Sequence, residues 1–179
     1  MHRFAGSGLC RAALLALLCC GLVPGQAVER DDLKAAIVYN ILLFVDWPSD
    51  AAPAAGGSLV LCTDPASTLN TPLKSLAGRP VHAFRLELHE LAAGESPRRC
   101  HALFLDAGSR LQALPLRRQL KGLPVLVIGD EPSGADEPVA IHLDEANGRM
   151  AFDVDMATVK QARLQLSSRL LRLARRVNE

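Results

Sequence analysis

The side chains able to do chemistry in this 179-residue chain are few and scattered. Of its five cysteines, Cys10, Cys19 and Cys20 crowd the start, and only Cys62 and Cys100 lie beyond it. His82, His89, His101 and His142 show no H-x-x-x-H or H-E-x-x-H spacing, so no metal ligand set is expected. Asp106 and Asp130 each follow an apolar run that reads as a strand. With Thr63 they would stand at the carboxyl end of a sheet, where α/β folds keep ligand crevices. These three residues are the candidates for a small ligand, and capping of the next helix or loop is the plainer role for both acids. The chain has no G-x-S-x-G elbow, phosphate loop or dinucleotide fingerprint, so no catalytic residue and no cofactor is assigned.

The first residues set the redox context. Arg3 and Arg11 precede and open an apolar run from Ala12 to Val23, and Gly25-Gln26-Ala27 ends in small residues. This is the order of an export signal, with cleavage expected after Ala27. The domain then comprises residues 28–179. Removing the leader takes Arg3 and Arg11 from the 20 basic residues and nothing from the 19 acids, leaving 18 against 19. Such a balance gives no footprint for nucleic acid. In an oxidising compartment Cys62 and Cys100 form an even pair, and a bridge would close a loop worth roughly 4 kcal/mol in the chain-entropy account. Two buried free thiols are the alternative. If the bridge forms, it is either a static staple or a redox switch.

The elements that must position these groups can be read from hydrophobic spacing. Lys34–Pro48 predicts an amphipathic helix capped by Asp31 or Asp32, with Leu33, Ile37, Asn40, Ile41 and Phe44 as its apolar stripe. Tyr39 and Trp47 lie off that stripe and are candidates for partner contact. Leu59–Cys62, Pro80–Leu86, His101–Asp106 and Pro124–Ile128 predict strands. Asp64-Pro65 predicts the cap of a short helix to Leu76, and Ser109 opens another that stops at Gly122. His89–Glu95 predicts a polar connector. Val139–Leu143 and Arg149–Val154 predict a hairpin turning at Asn147-Gly148. Asp155 then caps a helical stretch through Val159, Ala162, Leu166, Leu170, Leu173 and Val177, as one helix or two. The fold class is α/β: a single three-layer domain with a mainly parallel sheet of about five to six strands, closed by a C-terminal β-hairpin and helix.

A second candidate surface lies late in the chain. Phe152 and Val154 precede a helix whose basic face carries Arg163, Arg169, Arg172, Arg175 and Arg176. Arginines interleaved with Leu most often form a solvated face. An acidic partner is the functional option, since Arg is enriched at interfaces.

Three stretches together resemble the YfiR-like family: KAAIVYNILLFVDWP at Lys34–Pro48, the pair LVLC at Leu59–Cys62 with CHALFLD at Cys100–Asp106, and RMAFDVDMATVKQARLQLSSRLLRLA at Arg149–Ala174. The resemblance implies an α/β periplasmic regulator, not an enzyme. It implies repression of an inner-membrane diguanylate cyclase through the cyclase's periplasmic sensory part, and hence lower cyclic-di-GMP and less biofilm. It also implies sequestration by an OmpA-like outer-membrane lipoprotein, a homodimer, and activity linked to disulfide state. The chain departs from the family pattern in carrying no cysteine after Cys100, and in having Ser133–Pro138 where a Gly-Gly step is frequent. Asp155 stands where the family has Asn, and both residues cap helices. A small-molecule sensor is the alternative function.

Overall fold

The computed structural model describes residues 25–106, 114–130, 138–146 and 149–179. The apolar run of the leader, Ala12–Val23, and the turn at Asn147-Gly148 lie outside them, as does the start of the helix expected from Ser109.

Runs of four buried residues are the signature of strands covered on both faces. β2 (Ser58–Thr63), β5 (Ala102–Leu105) and β6 (Leu126–Gly129) show it fully. Their side chains alternate between two cores. Leu59, Leu61, Ala102, Phe104, Leu126 and Ile128 face one, built with α1 (Gly25–Leu42), α2 (Asn70–Lys74), α4 (Met156–Gln161) and α5 (Ser168–Leu173). Val60, Cys62, Leu103, Leu105 and Val127 face the other, under α3 (Leu114–Leu120) and a 3₁₀ turn at Pro97–Arg99.

The sheet is larger and more mixed than the sequence predicts. It has eight strands in the order β10-β8-β7-β6-β5-β2-β4-β3. The middle five, β7 (Ile141–Ala146), β6, β5, β2 and β4 (Phe84–Glu90), run parallel. β3 (Pro80–Val81) joins antiparallel at one edge, and β8 (Arg149–Asp155) antiparallel to β7 near the other. β10 (Arg176–Asn178) runs parallel to β8 and ends the sheet. Two or three residues carry no periodicity, which is why β10 escapes a reading by pattern and β3 is not told apart from β4 within the strand predicted at Pro80–Leu86. A separate pair, β1 (Val45–Asp46) with β9 (Gln165–Leu166), ties the end of α1 to the late chain.

Several expected elements shift. The strand predicted at Pro80–Leu86 is instead a hairpin, because His82 takes φ 53° and reverses the chain. Its second arm runs on to Glu90, into the stretch expected as a connector. The late helical stretch breaks into α4 and α5, since Arg163 at φ 56° cannot continue a helix. Val177 then belongs to a strand. α1 begins at Gly25, so Asp31 and Asp32 lie within it and do not cap it. Its buried face is Ala35, Val38, Ile41 and Leu42, rotated from the predicted stripe; Leu33 and Asn40 are exposed. The rotation follows from tertiary packing, which selects one of two overlapping helical spacings. Among the described residues no helix is long and apolar enough to cross a membrane.

Candidate functional site

Counted in chain order, the parallel strands β2, β4, β5, β6 and β7 lie as 2-1-3-4-5. The strand order therefore reverses between β2 and β5, and the carboxyl ends of those strands form a switch point. Five of the six buried polar residues described gather there: Thr63, Asp64, Ser67, Asn70 and Asp106.

They are joined to one another. The Thr63 hydroxyl donates to Asn70 Oδ1 at 2.5 Å. The Asn70 amide donates to the carbonyls of Asp64 and Pro65 at 3.0 and 3.1 Å. Ser67 Oγ donates to Asp106 Oδ2 at 2.6 Å, and the Thr68 N–H reaches the same oxygen at 3.2 Å. Asp64 Oδ1 accepts from the Ala66 N–H at 2.8 Å in an Asx turn. The expected cap at Asp64 is thus a chain of tight turns, and α2 starts only at Asn70. Asp64, Ser67 and Asn70 were not among the sequence candidates. Their common spacing of three was the available signal, and it imitates a helix start.

Asp130 stands beside Asp106, because Leu105 pairs in register with Gly129 and the Asp130 N–H donates to the Leu105 carbonyl. Its Oδ2 accepts from Lys34 Nζ at 2.5 Å, a mostly buried pair that pins α1 to the end of β6. Asp130 Oδ1 is buried and has no hydrogen-bond partner among the described residues. The structure therefore brings Thr63, Asp106 and Asp130 to one end of the sheet, as the sequence predicts. A groove of about 220 Å³ lies elsewhere, at the amino end of β6, lined by Leu120, Leu123, Val125, Val127, Thr158 and Gln161.

Cys62 and Cys100 are joined in a disulfide with Cα atoms 5.7 Å apart. Both are buried, between β2 and the chain entering β5. The bridge lies in the core beneath α3.

The two candidate contact surfaces separate by exposure. Trp47 is buried and its indole N–H donates to the His101 carbonyl at 2.9 Å. Tyr39 is half-buried, donates its hydroxyl to the Pro80 carbonyl at 2.7 Å, and lies under the Arg79 guanidinium. Val154 is fully buried and Phe152 half-buried against the same core. Arg169 and Arg172 are exposed on α5. Arg175 and Arg176 instead grip Asp153, the sixth buried polar residue. These guanidiniums hold the Asp153 carboxyl far below the usual carboxylate range. Among the described residues no three His, Cys, Asp or Glu side chains group as a metal site.

A family model described as YfiR/HmsC-like matches residues 31–175, nearly the whole described domain. The chain belongs to that family. No curated protein matches it.

Proposed function

We propose that this chain is an exported periplasmic regulator that binds the periplasmic sensory part of an inner-membrane diguanylate cyclase and holds it inactive. Membership of the YfiR/HmsC-like family over residues 31–175 carries this reading. The export-type leader and the buried Cys62–Cys100 bridge agree with an oxidising compartment. The switch point supports a binding role over a catalytic one, because its polar groups hold the Asp64–Asn70 turns in place. A repressor of this kind binds the inactive conformation of its target more tightly and raises its population. Release would come from a competing partner, such as an OmpA-like outer-membrane lipoprotein, and a homodimer is the proposed resting form. Deleting the protein should raise cellular cyclic-di-GMP and biofilm. Unchanged cyclic-di-GMP in the deletion strain would reject the reading.

One observation favours a second reading, a small-molecule sensor. The buried Asp130 Oδ1 beside Thr63 and Asp106, without a hydrogen-bond partner among the described residues, is a place where a ligand donor would be welcome. A thermal-shift screen of periplasmic metabolites tests it, since a ligand specific for the folded state raises Tm.

A further inference from the structure

An open sheet has two edges, and each presents backbone groups that a new strand can pair with. In this protein the two edges are unlike. At the β3 edge Pro80 has no N–H to give, and its carbonyl is already taken by the Tyr39 hydroxyl at 2.7 Å. At the β10 edge all three residues are exposed, and no described strand lies outside them.

The surface around β10 is apolar and basic at once. Four large hydrophobic side chains are exposed among the described residues, and two of them belong to this last segment, Leu173 at 65% on α5 and Val177 at 40% on β10 itself. From Ser168 to Glu179 the chain has four arginines and one acid, Glu179. Arg175 and Arg176 are neutralised by Asp153 and Asp144. Arg169 and Arg172 are exposed, and neither makes an ion pair with any described residue. Arginines that only guard an edge can do so singly. Here Arg169, Arg172 and Leu173, spaced three and four apart, share one face of α5, and the exposed Val177 follows on β10, an apolar and basic composition that suits a docking surface.

We infer that the outer edge of β10 is a docking strand for an acidic, extended segment of a partner protein, which adds to the sheet as a ninth strand. The partner's backbone pairs with β10, its apolar side chains cover Val177 and Leu173, and its carboxylates meet Arg169 and Arg172. The Arg175 and Arg176 contacts to Asp153 hold β10 against β8, so the edge is formed before the partner arrives. This rests on the regulatory reading above for the partner's identity, and on the sheet edge alone for its chemistry.

The test is hydrogen exchange on the purified protein with a synthetic peptide of alternating Glu and Val, and its Lys–Val counterpart as control. The Glu–Val peptide should slow exchange of the Arg176–Asn178 amides, and added salt should weaken it. Arg169→Glu with Arg172→Glu should weaken it by about tenfold and favour the Lys–Val peptide. Arg169→Gln with Arg172→Gln gives a milder loss and serves if the reversed pair loses its wild-type Tm. No protection at β10, or equal binding of both peptides, overturns the inference. Cyclic-di-GMP separates the two proposals. If deletion leaves it unchanged while the peptide protects β10, cyclase repression falls and the docking edge stands. If deletion raises it, the charge-reversed protein still represses and the peptide protects nothing, the docking edge alone falls.

Discussion

Arg175 closes a two-pronged contact on Asp153, with Nε to Oδ1 at 2.9 Å and Nη2 to Oδ2 at 2.8 Å, while its Nη1 reaches Asp144. Arg176 adds two more contacts to Asp153 Oδ2, from Nε at 3.2 Å and Nη2 at 2.7 Å. One carboxylate on β8 thus anchors the whole of β10.

Asp153→Asn keeps the shape and removes the charge that both guanidiniums need. It should lower Tm by about 5 °C in thermal denaturation followed by circular dichroism. The acid limb of stability carries the sign. Asp153 is held below its ordinary value of 3.8 in the folded state by Arg175 first, with Arg176 adding to it. Between those values the unfolded chain takes up the proton and the folded one does not. The contribution is therefore present above about pH 4 and lost as pH falls through the depressed folded value. Asp153→Asn should show a shallower fall of Tm below pH 4 than wild type, and equal slopes would refute the assignment.

The Cys62–Cys100 bridge is out of reach of solvent. A bridge so buried is expected to act as a staple, which a redox buffer meets only when the domain opens. Cys62→Ala with Cys100→Ala should cost about 4 kcal/mol in urea denaturation, by the loop-closure account. Glutathione should leave the native bridge intact, as judged by thiol labelling, and reduce it once urea unfolds the domain. Rapid labelling of the native protein in the same buffer would instead mark a switch.

How much of this was legible in the sequence depends on the length of the signal. LVLC, ALFL and LVIG are apolar on both faces, so they demand a sheet covered twice, and both cores follow from their alternation. The cysteine pair follows from counting. Trp47 shows the limit. Its place beyond a helix of ambiguous stripe leaves its direction open, and its burial goes with long-range partners, the β1–β9 pairing just before it and the His101 carbonyl that takes its indole. Arg175 reads like Arg172 in a list of arginines. What distinguishes it is a carboxylate 22 residues away on another strand, a relation no local pattern encodes.

Asn70 illustrates the same limit at the switch point, where one side chain serves three partners. Asn70→Ala would strand the Thr63 hydroxyl and two carbonyls in a site with little water. The expected loss is about 2–3 kcal/mol, since a buried polar group without a partner costs its full desolvation. Asn70→Asp keeps an acceptor for Thr63 and loses both amide donors, so it should also destabilise. If urea midpoints for Asn70→Ala match wild type, the polar chain does not hold these turns.

His101 sets a second pH window, well apart from that of Asp153. Its Nδ1 accepts from the Val60 N–H at 3.0 Å, so the ring is neutral there, while its carbonyl takes the Trp47 indole. Burial pushes its pKa below the ordinary 6.5, against a weaker upward pull from Glu87. Protonating Nδ1 would set two donors against each other. As pH falls below 6.5 the unfolded chain gains the proton first. Stability from this group is then full above pH 6.5 and lost as pH falls through the lower folded value. Asn can present Oδ1 to Val60 but has no charge to gain. His101→Asn should therefore lose less Tm than wild type between pH 7.5 and 5. An unaltered pH slope in the variant would overturn the assignment to His101.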